Sequence, residues 1–320
     1  MKTIYVENFG GPEVLAIKDL DLPKIKDDEI LIKTMAIGVN PVDTYIRSGW
    51  YSGSKIPYVP GFDASGIIIE KGPKINDFNV GNRVYCFKSV SGTYAEKIVV
   101  KQGQIYKLPD NLSFEEGAAI GTPYGAAYRA LFHKGHAKNG QKVLIHGGSG
   151  NVGLAAIKLA KSLNMIVVAT AGSEEGKGLC KEAGANLVVG HNIEDFKEEI
   201  LKFINDGFDI IIEMSAHNNL KTDLEFMAMY SAIVIVGSKG EVPINPRNLM
   251  SKDARIMGFV LFNAKNDELL DIHRNLFELF ISKRMQPPIV GKTFNLRDAK
   301  EAHALVERGS YGKVILKPDN

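Results

Sequence analysis

Alternating apolar and polar positions, punctuated by turn residues, run through the first 120 residues of the chain. The clearest runs are Glu29–Val39, Gly66–Glu70, Arg83–Phe87 and Thr93–Val100. Successive side chains of a strand point to opposite faces, so each run predicts a β-strand. Between the first two runs, Pro41–Phe62 reads as a long loop carrying Tyr45, Trp50, Tyr51, Tyr58 and Phe62. Loops of that length inside a compact domain tend to carry function, although aromatic side chains there can equally pin the loop down.

The pattern then changes. Ser113 with Glu116 three positions later writes a capping box, and Thr122-Pro123 a second helix start. From Gln141 onward, short apolar runs alternate with amphipathic segments. The runs centre near Val143, Ile166, Leu187, Ile210, Ile233 and Ile256, spaced by 21 or 23 residues. Each gap holds one helix and two short loops, the requirement of a parallel sheet with right-handed crossovers. Residues 123 to about 262 are therefore expected to form an α/β domain with a doubly wound parallel sheet. Its first helix carries Leu154, Ile157 and Ala160 inward, with Lys158 and Lys161 expected on the outer face. A further helix, Asp267–Ser282, places Leu269, Leu270, His273, Leu276, Phe277 and Phe280 on one face. A strand–helix–strand tail ends Val314-Ile315-Leu316. The sixth run, Arg255–Leu261, would form an apolar sheet edge, a liability unless paired, which predicts a homo-oligomer of at least two copies.

At 320 residues the chain has the length of two domains, and 45% apolar with 24% charged residues is an ordinary globular balance. A formal charge of +2 argues against a dedicated nucleic-acid binder and favours a small-molecule partner. Cys86 and Cys180 stand 94 positions apart, giving neither a disulfide framework nor clustered zinc spacing, and read as buried small hydrophobes. No signal peptide or membrane span is written, so a cytoplasmic protein is expected.

The strand Val143–His146 runs into Gly147-Gly148-Ser149-Gly150-Asn151-Val152-Gly153 and a helix, so Gly148, Gly150 and Gly153 satisfy the G-x-G-x-x-G pattern in its proper context. The first glycine is expected to make the tight turn, the second to admit pyrophosphate and the third to permit helix–strand contact. Free N–H groups at the helix start would face the phosphates. About 20 residues on, NAD-binding domains carry an acidic residue for the ribose. Here Val167-Val168-Ala169-Thr170 leads into Ala171-Gly172-Ser173, with no carboxylate at that place. Ser173, Lys177 and His191 lie close enough in sequence to meet a 2′-phosphate, so NADPH is favoured, while Glu174 and Glu175 suit the first turn of a helix. Lys177 read alone fits an exposed helix lysine equally well.

These features, with Ala36-Ile37-Gly38-Val39-Asn40-Pro41-Val42-Asp43 after a strand, resemble the medium-chain dehydrogenase/reductase superfamily. VNPVDTYIRSGWY (Val39 to Tyr51), GTYAE, HGGSGNVGLAA, TAGSEEG, DIIIEM, VGSKG and INPR resemble its zeta-crystallin branch, the NADPH:quinone reductases. The resemblance runs nearly end to end. It implies a Rossmann NADPH-binding domain at 123–262 and a β-rich GroES-like catalytic domain at 1–122, completed by about 263–320. It puts the nicotinamide near Asn40 and Tyr45, and the pyrophosphate over Ser149, Gly150, Asn151 and Val152. The adenosine phosphate would lie among Gly172, Lys177 and His191. Further cofactor contacts are implied at Asn219, at Val236, Gly237, Ser238 and Lys239 after the fifth strand, and at Phe259, Val260 and Leu261 in the sixth.

Zinc enzymes of the superfamily carry a Cys before the GVN segment and Gly-His-Glu after the long loop. This chain has Ile37 and Gly61-Phe62-Asp63, so no zinc site is expected. His133 and His136 have ligand spacing but lie where basic residues suit a helix C-terminus. Ala126, where relatives often have Thr, and Trp50 are departures that bear on specificity.

A quinone accepts hydride without metal activation, because its product regains an aromatic ring, so orientation in a dry site matters more than proton supply. Asn40 is expected to orient the nicotinamide or the acceptor oxygen, with Tyr45 and Tyr51 as an aromatic wall and Asp43 more a helix N-cap than a catalyst. A single-electron route is equally compatible. The rivals are reduction of an activated alkene (an enone or alkenal) and cofactor-gated binding of AU-rich RNA, and the family implies a dimer or tetramer.

Overall fold

A computed structural model describes residues 1–51, 55–191 and 193–319, without the side chains of 193 and 194. It divides into two units. One comprises Met1–Thr122, His273–Lys283 and Pro287–Asn320, the other Pro123–Ile272 and Arg284–Gln286. No described helix is long and apolar enough to cross a membrane.

The first unit begins with β1 (Lys2–Tyr5) and β2 (Ala16–Asp19), which pair antiparallel. It continues through β3 (Glu29–Val39), α1 (Pro41–Arg47), β4 (Asp63–Lys71), β5 (Arg83–Phe87), β6 (Lys97–Lys101), β7 (Ile105–Lys107) and α2 (Phe114–Gly117). The expected loop after β3 thus begins as a helix, since Asn40 caps it and Pro41 presets its first turn. Residues 52–54 of that segment lie outside those described. Of the run Thr93–Val100 only the end is strand, and α2 carries the expected Ser113–Glu116 capping box.

After α3 (Gly121–Tyr128) comes the α/β alternation: β8 (Lys142–Ile145), α4 (Asn151–Ser162), β9 (Ile166–Thr170), α5 (Glu174–Glu182), β10 (Leu187–Val189) and α6 (Ile193–Phe203). It goes on through β11 (Phe208–Glu213), α7 (Ala216–Phe226), β12 (Met227–Ile235), α8 (Arg247–Met250) and β13 (Arg255–Gly258). Each expected centre falls inside its strand. Neighbours pair parallel in the order β10-β9-β8-β11-β12-β13. The order reverses between β8 and β11, and ligands of doubly wound sheets sit at such a switch point, beyond the carboxyl ends of the strands. Val143–Ile145, Val167–Ala169 and Ile210–Ile212 are at most 1% exposed, as strands covered on both faces must be.

The chain returns to the first unit inside α9 (Asn266–Ile281) and closes with β14 (Val290–Asn295), α10 (Ala299–Arg308) and β15 (Lys313–Lys317). The first unit's sheet runs β14-β15-β3-β4-β5-β7, with β6 also on β3. Two inferred positions differ from expectation. Leu270 is 59% exposed, and Ile272 and Leu279 complete the buried stripe of α9 instead. Lys158 is buried rather than outward, while Lys161 reaches the Met165 carbonyl and the Asn186 side chain. Both cysteines are buried and unpaired.

In the first unit His273 stacks on Tyr106 at 3.6 Å between ring centroids, and its Nδ1 lies 2.9 Å from the Tyr85 hydroxyl. Burial holds this imidazole down to about 3. The unfolded chain therefore binds a proton that the folded one refuses, so this group's stabilising contribution is lost as pH falls from about 6.5 towards 3. Thermal melts across that range should show a shallower acid loss in His273→Gln than in the parent chain.

Candidate functional site

Between β8 and α4 the backbone crosses itself closely. The tight turn is at Gly147, with φ +58°, rather than at Gly148. Gly148 is required for another reason: a Cβ there would stand 2.8 Å from the Ala169 Cβ and 3.0 Å from the Cys180 Sγ. A Cβ on Gly153 would lie 2.3 Å from the Gly147 oxygen, so the third glycine lets α4 rest on the turn. On Gly150 a Cβ would meet only that oxygen, at 3.3 Å. The second glycine is thus not demanded by the fold, and its exposed backbone leaves room for a ligand. Gly150 is also the N-cap of α4, and no side chain caps the helix. The first-turn N–H groups of Asn151, Val152 and Gly153 are thereby left to an anion. Ser149 and Gly150 complete a cradle whose chemistry fits a pyrophosphate.

Just after β9, Gly172 approaches His191 so closely that a Cβ would come within 2.4 Å of the imidazole. Burial, then the nearby His146, holds His191 below its usual range. Ser173 caps α5, its side chain accepting from the Gly176 N–H at 3.0 Å, with Glu174 and Glu175 in the first turn as expected. Lys177 pairs with Glu174 at 2.8 Å and stands 5.9 Å over the Phe196 ring. The structure therefore gathers Gly172, Ser173, Lys177 and His191 on one side of the cradle.

Beyond β11, Asn219 on α7 donates to Glu213 Oε1 at 3.3 Å. Val236 N–H donates to the Glu213 carbonyl at 2.8 Å, Ser238 Oγ donates to the Gly240 carbonyl, and Lys239 N–H donates to His217 Nδ1. Phe259, Val260 and Leu261 are not in the sixth strand, which ends at Gly258; Leu261 opens a 3-10 turn. Buried Arg129 holds this segment, donating to the Val260 carbonyl at 2.9 Å and pairing with Glu268 at 3.1 Å.

In the first unit Asn40 is 2% exposed, and its carboxamide is committed to a buried ion pair. Its Nδ2 donates to Asp63 Oδ2 at 2.9 Å and its Oδ1 accepts from Lys313 Nζ at 2.6 Å. Lys313 itself bonds Asp63 Oδ2 at 2.9 Å, while Asp63 Oδ1 accepts from the Thr122 N–H and hydroxyl. The residue expected to orient the nicotinamide or the acceptor oxygen thus makes one hydrogen bond inside the fold from each end of its amide. Sequence reading missed Asp63, Thr122 and Lys313; the available signal was a lysine opening the apolar run Lys313–Leu316.

The N-cap of α1 is Asn40, and Asp43 is its third residue, accepting from the Asn40 N–H at 2.8 Å and from the Tyr94 hydroxyl at 3.2 Å. Burial pushes the Asp43 carboxyl up to about 7, against the pull of these donors and of Lys313. The chain continues from Tyr94 to His303 and Arg47, which also pairs with Glu307. Tyr45 is half-buried and edge-on to exposed Trp50, 5.4 Å between centroids, and Tyr51 is half-buried next to them. Asp43 and Phe62 line a small cavity of about 170 Å³ with Ile46, Tyr58 and Ser89.

For metals, Ile37 is wholly buried opposite Ala64 and Leu316, and Phe62 offers no ligand atom. His133 Nε2 lies 2.9 Å from Asp271 Oδ2, and His136 has a left-handed backbone at φ +54°. Among the described residues, His146, Glu213 and Asp223 gather as potential ligands.

Models for an alcohol dehydrogenase GroES-like domain and for a zinc-binding dehydrogenase match residues 26–110 and 151–275. The chain is 42% identical to the mouse quinone oxidoreductase over 99% of its length and 97% of the relative's, and 41% identical to the human one over the same shares. The chain belongs to the quinone oxidoreductase family of the medium-chain dehydrogenase/reductase superfamily. Among solved structures, Escherichia coli quinone oxidoreductase complexed with NADPH matches with a TM-score of 0.88 and 26% identity, covering 99% of this chain and 100% of that one. A mycobacterial protein complexed with NADPH matches with a TM-score of 0.89 and 29% identity, over 99% and 100%.

The glycine geometry separates two substitutions. Gly150→Ala should bind NADPH at least about tenfold more weakly with only a small fall in melting temperature, whereas Gly153→Ala should lose roughly 1–3 kcal/mol of stability to overpacking and melt at a clearly lower temperature. Fluorescence titration with NADPH beside a thermal melt checks both. Lys313→Ala leaves Asp63 buried without its counter-charge, a loss of about 3–5 kcal/mol that urea unfolding would measure.

Proposed function

We propose that this chain is an NADPH-dependent quinone reductase that works without a metal. The observation that carries the reading is similarity at 42% identity, over 99% of the chain, to a quinone oxidoreductase. The cradle of Ser149, Gly150, Asn151 and Val152 would hold the pyrophosphate, and Gly172, Ser173, Lys177 and His191 the 2′-phosphate. Asn219, Val236–Lys239 and Phe259–Leu261 would line the remainder of the cofactor. When bound, NADPH supplies two electrons with one hydrogen, and a quinone taking these and one proton from water becomes a hydroquinone. Tyr45, Tyr51 and Trp50 supply aromatic surface against which a planar acceptor can lie. Asn40 acts one step back, by holding Asp63 and the start of α1. The absence of ligand atoms at Ile37 and Phe62 supports a metal-free reaction.

Two unpaired cysteines fit the reducing cytoplasm. A dimer or tetramer is supported by β13, which among the described residues pairs on one side only, and by Met229, Tyr230 and Met250 in the same unit, exposed by 53, 71 and 74%.

Oxidation of NADPH followed with an ortho-quinone, a para-quinone and an enone, with and without chelator and with NADH in parallel, tests the reading. Quinone turnover should be faster than enone turnover, selective for NADPH and insensitive to chelator; the reverse preference would move the assignment to alkene reduction. Lys177→Ala should raise the KM for NADPH about tenfold and leave that for NADH unchanged. Light scattering should give a particle larger than the 35.0 kDa monomer.

A further inference from the structure

Beneath the pyrophosphate cradle lies a polar cluster that the reaction itself does not use. His146 directly follows β8, Glu213 ends β11 and Asp223 lies on α7, and all three are at most 1% exposed. His146 Nε2 is 2.7 Å from Asp223 Oδ1 and 3.6 Å from Glu213 Oε2. On the other side of the ring, Nδ1 is 3.5 Å from the Thr170 hydroxyl, and that hydroxyl accepts the Gly147 N–H at 3.1 Å. With the imidazole hydrogen on Nε2 these contacts form one directed chain. Thr170 Oγ1 accepts from Gly147, so its hydrogen is free for His146 Nδ1, and Nε2–H then donates to Asp223. The turn is thereby tied through one threonine and one neutral imidazole to a buried carboxylate. A second arm reaches the other side of the switch point, where Glu213 Oε1 accepts from the Ser215 N–H and from Asn219 Nδ2.

One oxygen of each acid remains. Glu213 Oε2 and Asp223 Oδ2 are buried and lack a hydrogen-bond partner. Two ionised carboxylates can only accept, whereas a single proton between them supplies the missing donor. A cation is a poorer explanation. Ligand atoms bound at about 2.0–2.2 Å in a tetrahedral site stand more than about 3 Å apart, and His146 Nε2 and Asp223 Oδ1 are already at hydrogen-bonding distance.

We propose that His146, Glu213 and Asp223 are positioning residues, a clamp closed by one shared proton that holds the Gly147 turn and the start of α7 in the geometry that NADPH requires. The inference rests on the cofactor reading above. Burial holds both carboxyls at about 7, with His146 and then Asp223 acting secondarily on Glu213 and a hydrogen bond with Glu213 pulling Asp223 down, and keeps His146 below its usual range. His191, after β10, is the further titrating group coupled to His146. Cys180 on α5, close to Gly148, is raised to about 12 by burial and stays neutral, and β9 presents the uncharged Thr170. As pH rises through about 7 the clamp loses its proton, and a second negative charge develops under a turn that faces phosphate. NADPH affinity should then fall. The cofactor's own phosphate ionises near about pH 6 and acts in the opposite direction.

The experiment is fluorescence titration with NADPH, and competition with adenosine 2′-phosphate, which lacks the pyrophosphate, from about pH 6 to about pH 9 on the full chain, Asp223→Asn and Thr170→Val. The parent chain should bind NADPH about tenfold more weakly at the alkaline end, and Asp223→Asn should lose that dependence. Thr170→Val, which keeps its volume and serves if Asp223→Asn fails to fold, should weaken NADPH several-fold while leaving adenosine 2′-phosphate unchanged. Unchanged NADPH affinity and pH profile in both variants, or equal losses for the two ligands, would overturn the clamp. A parent chain that binds neither ligand would overturn the cofactor reading instead, and the clamp with it.

Discussion

The contact of α4 with the turn that precedes it is the constraint on which the second unit depends. Gly153 sits so close to the Gly147 oxygen that no side chain fits between them, and this closeness aims the uncapped first-turn N–H groups at the switch point. The parallel order of the sheet places that turn beside the end of β11. Burial on both faces, which makes the strands apolar, also makes charge at their ends costly. His146 and one oxygen of Glu213 are hydrogen-bonded there across the switch point, while Glu213 Oε2 keeps no partner, and the same bonds fix the turn.

The first unit solves a similar problem by other means. Lys313, Asp63, Asn40 and Thr122 form a buried group in which every carboxylate oxygen of Asp63 accepts hydrogen bonds. From Asn40 the bonding continues through Asp43, Tyr94 and His303 to Arg47. Such a pair adds little net stability relative to apolar residues, but it penalises any arrangement that breaks it, which favours one geometry for α1. The aromatic residues that follow α1 inherit that geometry.

Specificity follows from the same division. In the second unit the segment after β9 carries Gly172 and Ser173 and no carboxylate at the place where an acidic residue would select NADH, and Phe196 and the approach of Gly172 shape the surroundings of Lys177 and His191. Trp50 is exposed against Tyr45 and Ala126 is buried, and neither belongs to either polar network.

The six parallel strands, the glycine fingerprint and the missing carboxylate after β9 were legible along the chain, because periodicity and local turn chemistry are set by neighbours in sequence. So was the resemblance that assigned the cofactor residues. Other features needed the fold. The helix at Pro41–Arg47 was hidden by an aromatic-rich segment that looks like loop. The end of the sixth strand at Gly258 depends on where β12 stops offering partners. The positive φ at Gly147 and the inward Lys158 depend on what packs around them. Above all, Asp63 meets Lys313 across 250 positions and His146 meets Asp223 across 77. A charged residue in an apolar run says only that a partner must exist, and the tertiary structure alone decides which residue it is.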